Sequence, residues 1–199
     1  MNPTERRIQT LFRQTGAARS RELVESGVAR SQLSRMVSTG QLIRVARGIY
    51  VLPGYQSGEH GALVTVARRA PNVLFCLLTA LRIHELTTQA PFEVWIAIGN
   101  KEHPPRLDYP PLRTVRFSEE ALQAGVEIHK FDKTKIRVTS VAKTVADCFK
   151  FRNKIGLDVA LEALREARRA KKASADDLWR YAKINRVANV MRPYLEAVA

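Results

Sequence analysis

The sequence predicts an α+β fold in two parts, and three observations carry that expectation. Residues 1–56 read as short helices followed by a hairpin, residues 57–199 read as a mixed α/β domain that ends in helices, and "LPGYQSGEHG", Leu52 to Gly61, gathers Pro, Gly, Ser and charged residues into a seam. The expected domains are therefore 1–56 and 57–199. A chain of 199 residues with 45% apolar content can bury cores of that size without covalent staples.

The first helix is expected over about Thr4 to Gln14, with Ile8, Leu11 and Phe12 on one face and Gly16 as its stop. A second, Ser20 to Glu25, offers Leu23 and Val24 to the core and ends at Gly27. After a turn anchored by Val28, "ARSQLSRMVSTG" places Leu33, Met36 and Val37 on one side of a third helix and Ser31, Ser34, Arg35 and Ser38 on the other. Small hydroxyls with one arginine make a thin polar face able to enter a groove, and Gly40 ends the helix. The next stretch, "GQLIRVARGIYVLPG", alternates like a strand but carries Arg44 and Arg47 around a turn at Gly48. Two short helices, a tight turn and a basic hairpin make a winged helix-turn-helix pattern. With the third helix in a major groove, Arg44 and Arg47 would reach phosphates or a narrow minor groove. The plainer reading is an edge hairpin kept soluble by arginines, or a helix-hairpin unit that binds protein.

In the second half, Asn72 to Leu86 should contain a helix burying Leu77, Leu78 and Leu81, and Phe92 to Ile98 reads as a buried strand. Arg113 to Phe117 and Val126 to Phe131 read as further strands. From "VTSVAKTVADCFKF" onward the pattern is helical: Ser140 caps a helix burying Val141, Val145 and Phe149, and a second spans about Asp158 to Lys171 with Leu161 and Leu164 inside. Ser174 with Asp177 approximates a capping box for a last helix carrying Leu178, Trp179 and Tyr181.

A formal net charge of +14 favours polyanions, nucleic acid before anionic lipid, because no segment is both basic and strongly apolar-faced. Residues 1–60 hold nine basic and four acidic groups, and every basic one is arginine, whose planar fork suits guanine edges and phosphates. The N-terminus lacks the apolar run of a signal peptide and no later run approaches a membrane span, so a cytoplasmic protein without membrane partners is expected. Two cysteines, Cys76 and Cys148, each in an apolar run, fit that reducing setting.

The whole chain resembles the AbiEi-type antitoxins of type IV toxin-antitoxin systems, which are linked to abortive infection and phage defence. The resemblance rests on "VARSQLSRMVSTGQLIRVARGIYVLPG", and less specifically on "LTALRIHELTTQAPFEVWIAI" and "IRVTSVAKTVADCFKFRNKIGLDVALEALREA". It implies an antitoxin that represses its own operon by binding inverted repeats in double-stranded promoter DNA and counters a toxin of nucleotidyltransferase-like fold. The DNA-facing positions it implies are Ser31, Ser34, Arg35, Ser38, Arg44 and Arg47. The alternative is an interaction module that neutralises the toxin by direct binding with little specific DNA recognition.

Catalytic patterns are weak by comparison. A restriction-type nuclease needs Glu-x-Lys at a strand end, but "IAIGNKEH" puts Gly99 at the glutamate position and keeps only Lys101. His60, His84, His103 and His129 are scattered, so no metal is expected, and His84-Glu85 reads as a satisfied polar pair. "SVAK", Ser140 to Lys143, matches Ser-x-x-Lys, yet its partner motifs are missing and Ser140 stands where a helix cap is wanted. No phosphate-cradling glycine loop is present, so neither enzyme activity nor a cofactor is expected. Arg165, Arg168, Arg169, Lys171 and Lys172 form either a solvated helix end or a secondary polyanion contact.

Overall fold

The computed structural model describes residues 3–15, 17–54, 60–89, 93–107 and 110–197. In chain order the elements are α1 (Pro3–Thr15), β1 (Ala17–Arg19), α2 (Ser20–Glu25), α3 (Arg30–Ser38), β2 (Ile43–Ala46), β3 (Ile49–Val51), α4 (Gly61–Arg69), β4 (Leu74–Phe75), α5 (Leu77–Ile83) and β5 (Val94–Gly99). There follow β6 (Leu112–Phe117), α6 (Glu119–Gln123), β7 (Val126–Phe131), β8 (Thr134–Thr139), α7 (Val141–Lys150), α8 (Arg152–Ile155), α9 (Leu157–Arg169), α10 (Ala175–Ile184) and α11 (Ala188–Ala197). The fold class is mixed α+β, as expected. The described residues of Met1–Asn72, Pro105–Pro111 and His129–Ile136 form one compact unit, and those of Val73–Pro104, Leu112–Ile128 and Arg137–Ala199 form another.

In the first unit, Ile8 and Phe12 of α1 are buried with Ala18, Leu23, Val28, Leu33, Leu42 and Tyr50 in one core. Their spacing puts one apolar residue per turn on the inner face of each helix. Val24 departs from expectation, for it is 37% exposed while its neighbour Leu23 takes the buried position. A helix of 6 residues has room for one inward position here. The order α1-β1-α2-α3-β2-β3 is compatible with a winged helix-turn-helix.

Two elements of this unit were not foreseen. Strand β1 pairs antiparallel with β3, from Ala17 opposite Val51 to Arg19 opposite Ile49, and completes a three-stranded sheet ordered β1-β3-β2. Ala-Ala-Arg has little strand preference of its own, so pairing imposes the conformation. Helix α4 buries Leu63, Val64, Val66 and Ala67, and Val64 joins Ala17, Ile49 and Val51 in a second cluster. The expected stop at Gly16 and the middle of the seam, residues 55–59, lie outside the described residues.

The second sheet is five-stranded among the described residues, ordered β6-β5-β4-β8-β7. Strand β5 pairs parallel to β6 and antiparallel to β4, and β4 pairs parallel to β8. Burial on both faces explains the continuous apolar run of β5, Val94 to Ile98. The expected start of that strand at Phe92 lies outside the described residues. The expected helix over Asn72 to Leu86 is divided, with Leu74–Phe75 in the sheet and α5 beginning at Leu77.

Strand β8 was also missed, so Val138 and Thr139 end a strand rather than open a helix. Its turn from β7 uses Asp132 and Lys133, both left-handed at φ 43° and 63°. That geometry suits a type I′ turn, usually announced by glycine or asparagine, and lysine hid the signal. The helical end of the unit follows the sequence more closely. Ser140 caps α7 by accepting the Lys143 N–H, and Ser174 caps α10 by accepting the Asp177 N–H. Val145 and Phe149 are wholly buried, whereas Val141, Leu78 and Leu161 are half-buried around that core.

Candidate nucleic-acid interface

Local chemistry fixes the helix pair first. Helix α2 closes through Gly27 N–H to Val24 O and Val28 N–H to Leu23 O, with Gly27 at φ 100°. Glycine at this position removes the Cβ penalty of a left-handed turn. At the head of α3 the Gln32 side chain accepts the Ala29 N–H at 3.2 Å. Leu33 anchors the inner face at 5% exposure, with Met36 and Val37 half-buried beside it.

Ser31, Ser34, Arg35 and Ser38 are all exposed. At about 100° per residue they fall within an arc of about 100°, opposite Leu33. Arg30, also exposed, lies at the edge of this arc and was not singled out by sequence reasoning. Ser38 Oγ donates to Arg35 O at 2.9 Å, and Thr39 Oγ1 donates to the same carbonyl at 2.8 Å. With its proton so engaged, Ser38 offers a groove an acceptor, which suits a base amino group and not a phosphate oxygen.

The hairpin follows at once. Leu42 N–H bonds to Met36 O, which ties the hairpin entry to the end of α3, and Leu42 is buried. Strands β2 and β3 pair with Arg44 opposite Tyr50 and Ala46 opposite Ile49, a register shift that marks a bulge. Arg44 and Arg47 are both exposed, with Arg47 in the turn beside Gly48 at φ 76°. Gly48 O accepts the Ser20 N–H at 2.9 Å, so the hairpin tip is tied to the start of α2.

A Cβ on Gly48 would stand 3.2 Å from Ser20 Oγ. Gly48→Ala is therefore expected to cost about 1–2 kcal/mol, the left-handed penalty plus a crowded hydroxyl. Thermal unfolding followed by circular dichroism checks it, and an unchanged midpoint would refute the tie.

Behind α2, Glu22 accepts the Arg19 N–H at 2.8 Å and a guanidinium N–H of Arg68 at 2.7 Å. These two bonds fix the helix start to α4. The arginines of this unit thus divide between structural members such as Arg68 and exposed ones at 35, 44 and 47.

The basic end of α9 divides in a similar way. Arg165 and Lys171 are exposed, Arg169 pairs with Glu166, and half-buried Arg168 reaches Ala173 O at 3.4 Å. Lys172 Nζ donates to His84 O at 2.6 Å and lies 3.5 Å from Glu85. His84 itself is buried, with Nε2 2.7 Å from Thr139 O, so that nitrogen carries the proton.

Several residues weighed for catalysis make structural contacts. Gly99 N–H donates to Glu102 Oε2 at 2.8 Å, and Arg116 donates to Gly99 O and Asn100 O at 2.8 and 2.6 Å, so the strand end is a closed turn. Lys143, wholly buried, is ion-paired with Asp147 and lies 4.4 Å from the Phe117 ring centroid. Asn185 Nδ2 donates to the same carboxylate oxygen at 2.7 Å. Asp147 Oδ2 has no hydrogen-bond partner among the described residues.

Burial pushes the Asp147 carboxyl above the ordinary aspartate range, against the pull of Lys143 and Asn185. Burial also raises the Cys76 and Cys148 thiols, aided by the Asp147 charge. Both thiols should therefore resist a thiol reagent in the native protein and react when urea unfolds it. Rapid native reaction would contradict their placement.

No helix among the described residues is long and apolar enough to cross a membrane. The fold is similar to the crystal structure of the RV2827C protein from Mycobacterium tuberculosis, with a TM-score of 0.62 over 100% of this chain and 81% of that one, at 12% identity. At that identity the likeness is one of fold. No curated protein sequence matches the chain. Residues 6–53, the segment holding α2, α3 and the hairpin, match the family model described as "Transcriptional regulator, AbiEi antitoxin", and this is the family resemblance the sequence predicts.

Proposed function

We propose that the chain is an antitoxin that binds the promoter of its own operon through a winged helix-turn-helix in residues 1–56. The observation that carries this reading is the continuous exposed surface of Ser31, Ser34, Arg35 and Ser38 on α3, followed by Arg44 and Arg47 on a hairpin tied to α3 at Leu42 and to α2 at Gly48. The match of residues 6–53 to a regulator family supports it. In this reading α3 lies in the major groove, the hairpin arginines take phosphates or a narrow minor groove, and residues 57–199 counter a nucleotidyltransferase-like toxin in the cytoplasm. Arg165 and Lys171 add backbone contacts without sequence preference, with Arg168, Arg169 and Lys172 contributing charge beside them.

Binding energy then comes mainly from phosphates and specificity from α3. Each phosphate neutralised on duplex DNA contributes about −0.9 to the slope of log K against log salt. Fluorescence anisotropy on the duplex upstream of the gene, against a shuffled duplex across a salt series, is expected to give a steep slope for both and tighter binding to the native duplex. Equal affinity for the two would leave only the attraction of a +14 chain for any polyanion.

A further inference from the structure

A cavity of about 760 Å³ opens in the second unit between the end of β6, helix α6, the end of α7 and the turn after α10. Its size falls in the range of small-molecule sites. Three cations line it from three different elements: Arg116, Lys150 and Arg186. Glu119, Glu120 and Gln123 line it from α6.

The aromatic lining is already partnered. Phe117 and Phe151 stack on each other at 5.7 Å, Lys143 Nζ sits over Phe117 and Lys154 Nζ over Phe151. The polar groups beside these rings give an occupant its orientation. Arg186 follows the α10 cap with φ 56°, the same left-handed helix end that Glu85 and Lys171 take after α5 and α9. Of these three helix ends, the one at Arg186 places a cation in the cavity lining.

We infer that this cavity binds a nucleoside phosphate, with Lys150 and Arg186 on the phosphate oxygens and Glu119, Glu120 and Gln123 on ribose hydroxyls and base edges. Arg116, which alternates with buried Val115 and Phe117 along β6, donates one terminal nitrogen to Gly99 O and Asn100 O, so its guanidinium is held at the strand end and the phosphate contacts fall to Lys150 and Arg186. The mixture of cations and carboxylates fits a ligand that is anionic at one end and rich in N–H and O–H donors at the other. Buried Asn185, part of the lining, is held by its 2.7 Å bond to Asp147 of the Lys143–Asp147 pair.

Isothermal titration of the full chain with ATP, GTP, CTP and UTP, and with inorganic tripolyphosphate, tests the assignment. At least one nucleotide should bind at physiological salt more tightly than tripolyphosphate. That affinity should fall at least tenfold in Lys150→Glu and in Arg186→Gly, while Arg69→Glu, which makes the same charge change as Lys150→Glu on the first unit, leaves it unchanged. Arg186→Gly removes the cation while suiting the left-handed helix end, so it should fold whatever becomes of binding. The assignment is overturned if no nucleotide binds, if tripolyphosphate binds as tightly, or if Arg69→Glu weakens binding as much as Lys150→Glu.

Discussion

Lys143→Met should destabilise the second unit by about 3–5 kcal/mol, the usual loss when one partner of a buried ion pair is removed and the other stays. Lys143 and Asp147 are 0% and 1% exposed, and each helps satisfy the other, with buried Asn185 as a further donor to the carboxylate. Asp147→Leu should cost a similar amount by stranding the ammonium group. The double variant Lys143→Met/Asp147→Leu should be more stable than either single variant, because an apolar pair replaces two desolvated charges. It should fall short of wild type by the cost of the Asn185 amide left unpaired, about 1–3 kcal/mol. Trp95 and Trp179 both belong to the second unit, so urea unfolding followed by tryptophan fluorescence reads it directly.

The single variant also carries a pH signature. The folded-state pKa of Asp147 is raised, so its contribution favours folding below the unfolded value of about 3.9 and is lost as pH rises through the folded value. Removing Lys143 takes away a group that lowers that pKa, so the Lys143→Met deficit should shrink as pH falls from neutrality toward the ordinary aspartate range. A deficit that is constant with pH, or single variants within about 1 kcal/mol of wild type, would show that the pair is not isolated from water.

Lys143 also shows where sequence reasoning stops. Its i, i+4 spacing to Asp147 is visible in "KTVAD", but the same spacing is common on solvated helix faces. Only the third dimension reveals that both partners turn inward. The caps at Ser140 and Ser174 were legible because capping is a local matter of one hydroxyl and one N–H. Strand β1 and the β7–β8 turn were not, the first because its partner lies some thirty residues away and the second because lysine stands where glycine is usual. The exposed face of α3 was legible because helical periodicity alone separates Leu33, Met36 and Val37 from the serines and Arg35. The hydrogen bond that spends the Ser38 proton was not.

The second large effect is on DNA. Arg35→Ala and Arg47→Ala should each weaken binding to the native duplex by about 1–3 kcal/mol if the guanidinium makes a bidentate base contact. The two should differ in kind. Arg35 projects from α3, so its loss should narrow the preference for native over shuffled DNA. Arg47 sits in the hairpin turn, and if it meets phosphates its loss should weaken both duplexes alike and flatten the salt slope by about one unit. Both side chains are exposed and away from the cores, so stability should change by no more than about 0.5 kcal/mol. Unchanged affinity in both variants would remove α3 and the hairpin from the interface.

The most direct test of the central claim, that α3 reads base edges in a major groove, is dimethyl sulfate protection of guanine N7 on the upstream duplex at saturating protein. The account predicts protected guanines in each half of an inverted repeat, with that protection lost or reduced in Arg35→Ala while the protein still binds at low salt. Full binding with every guanine N7 as reactive as in free DNA would contradict it.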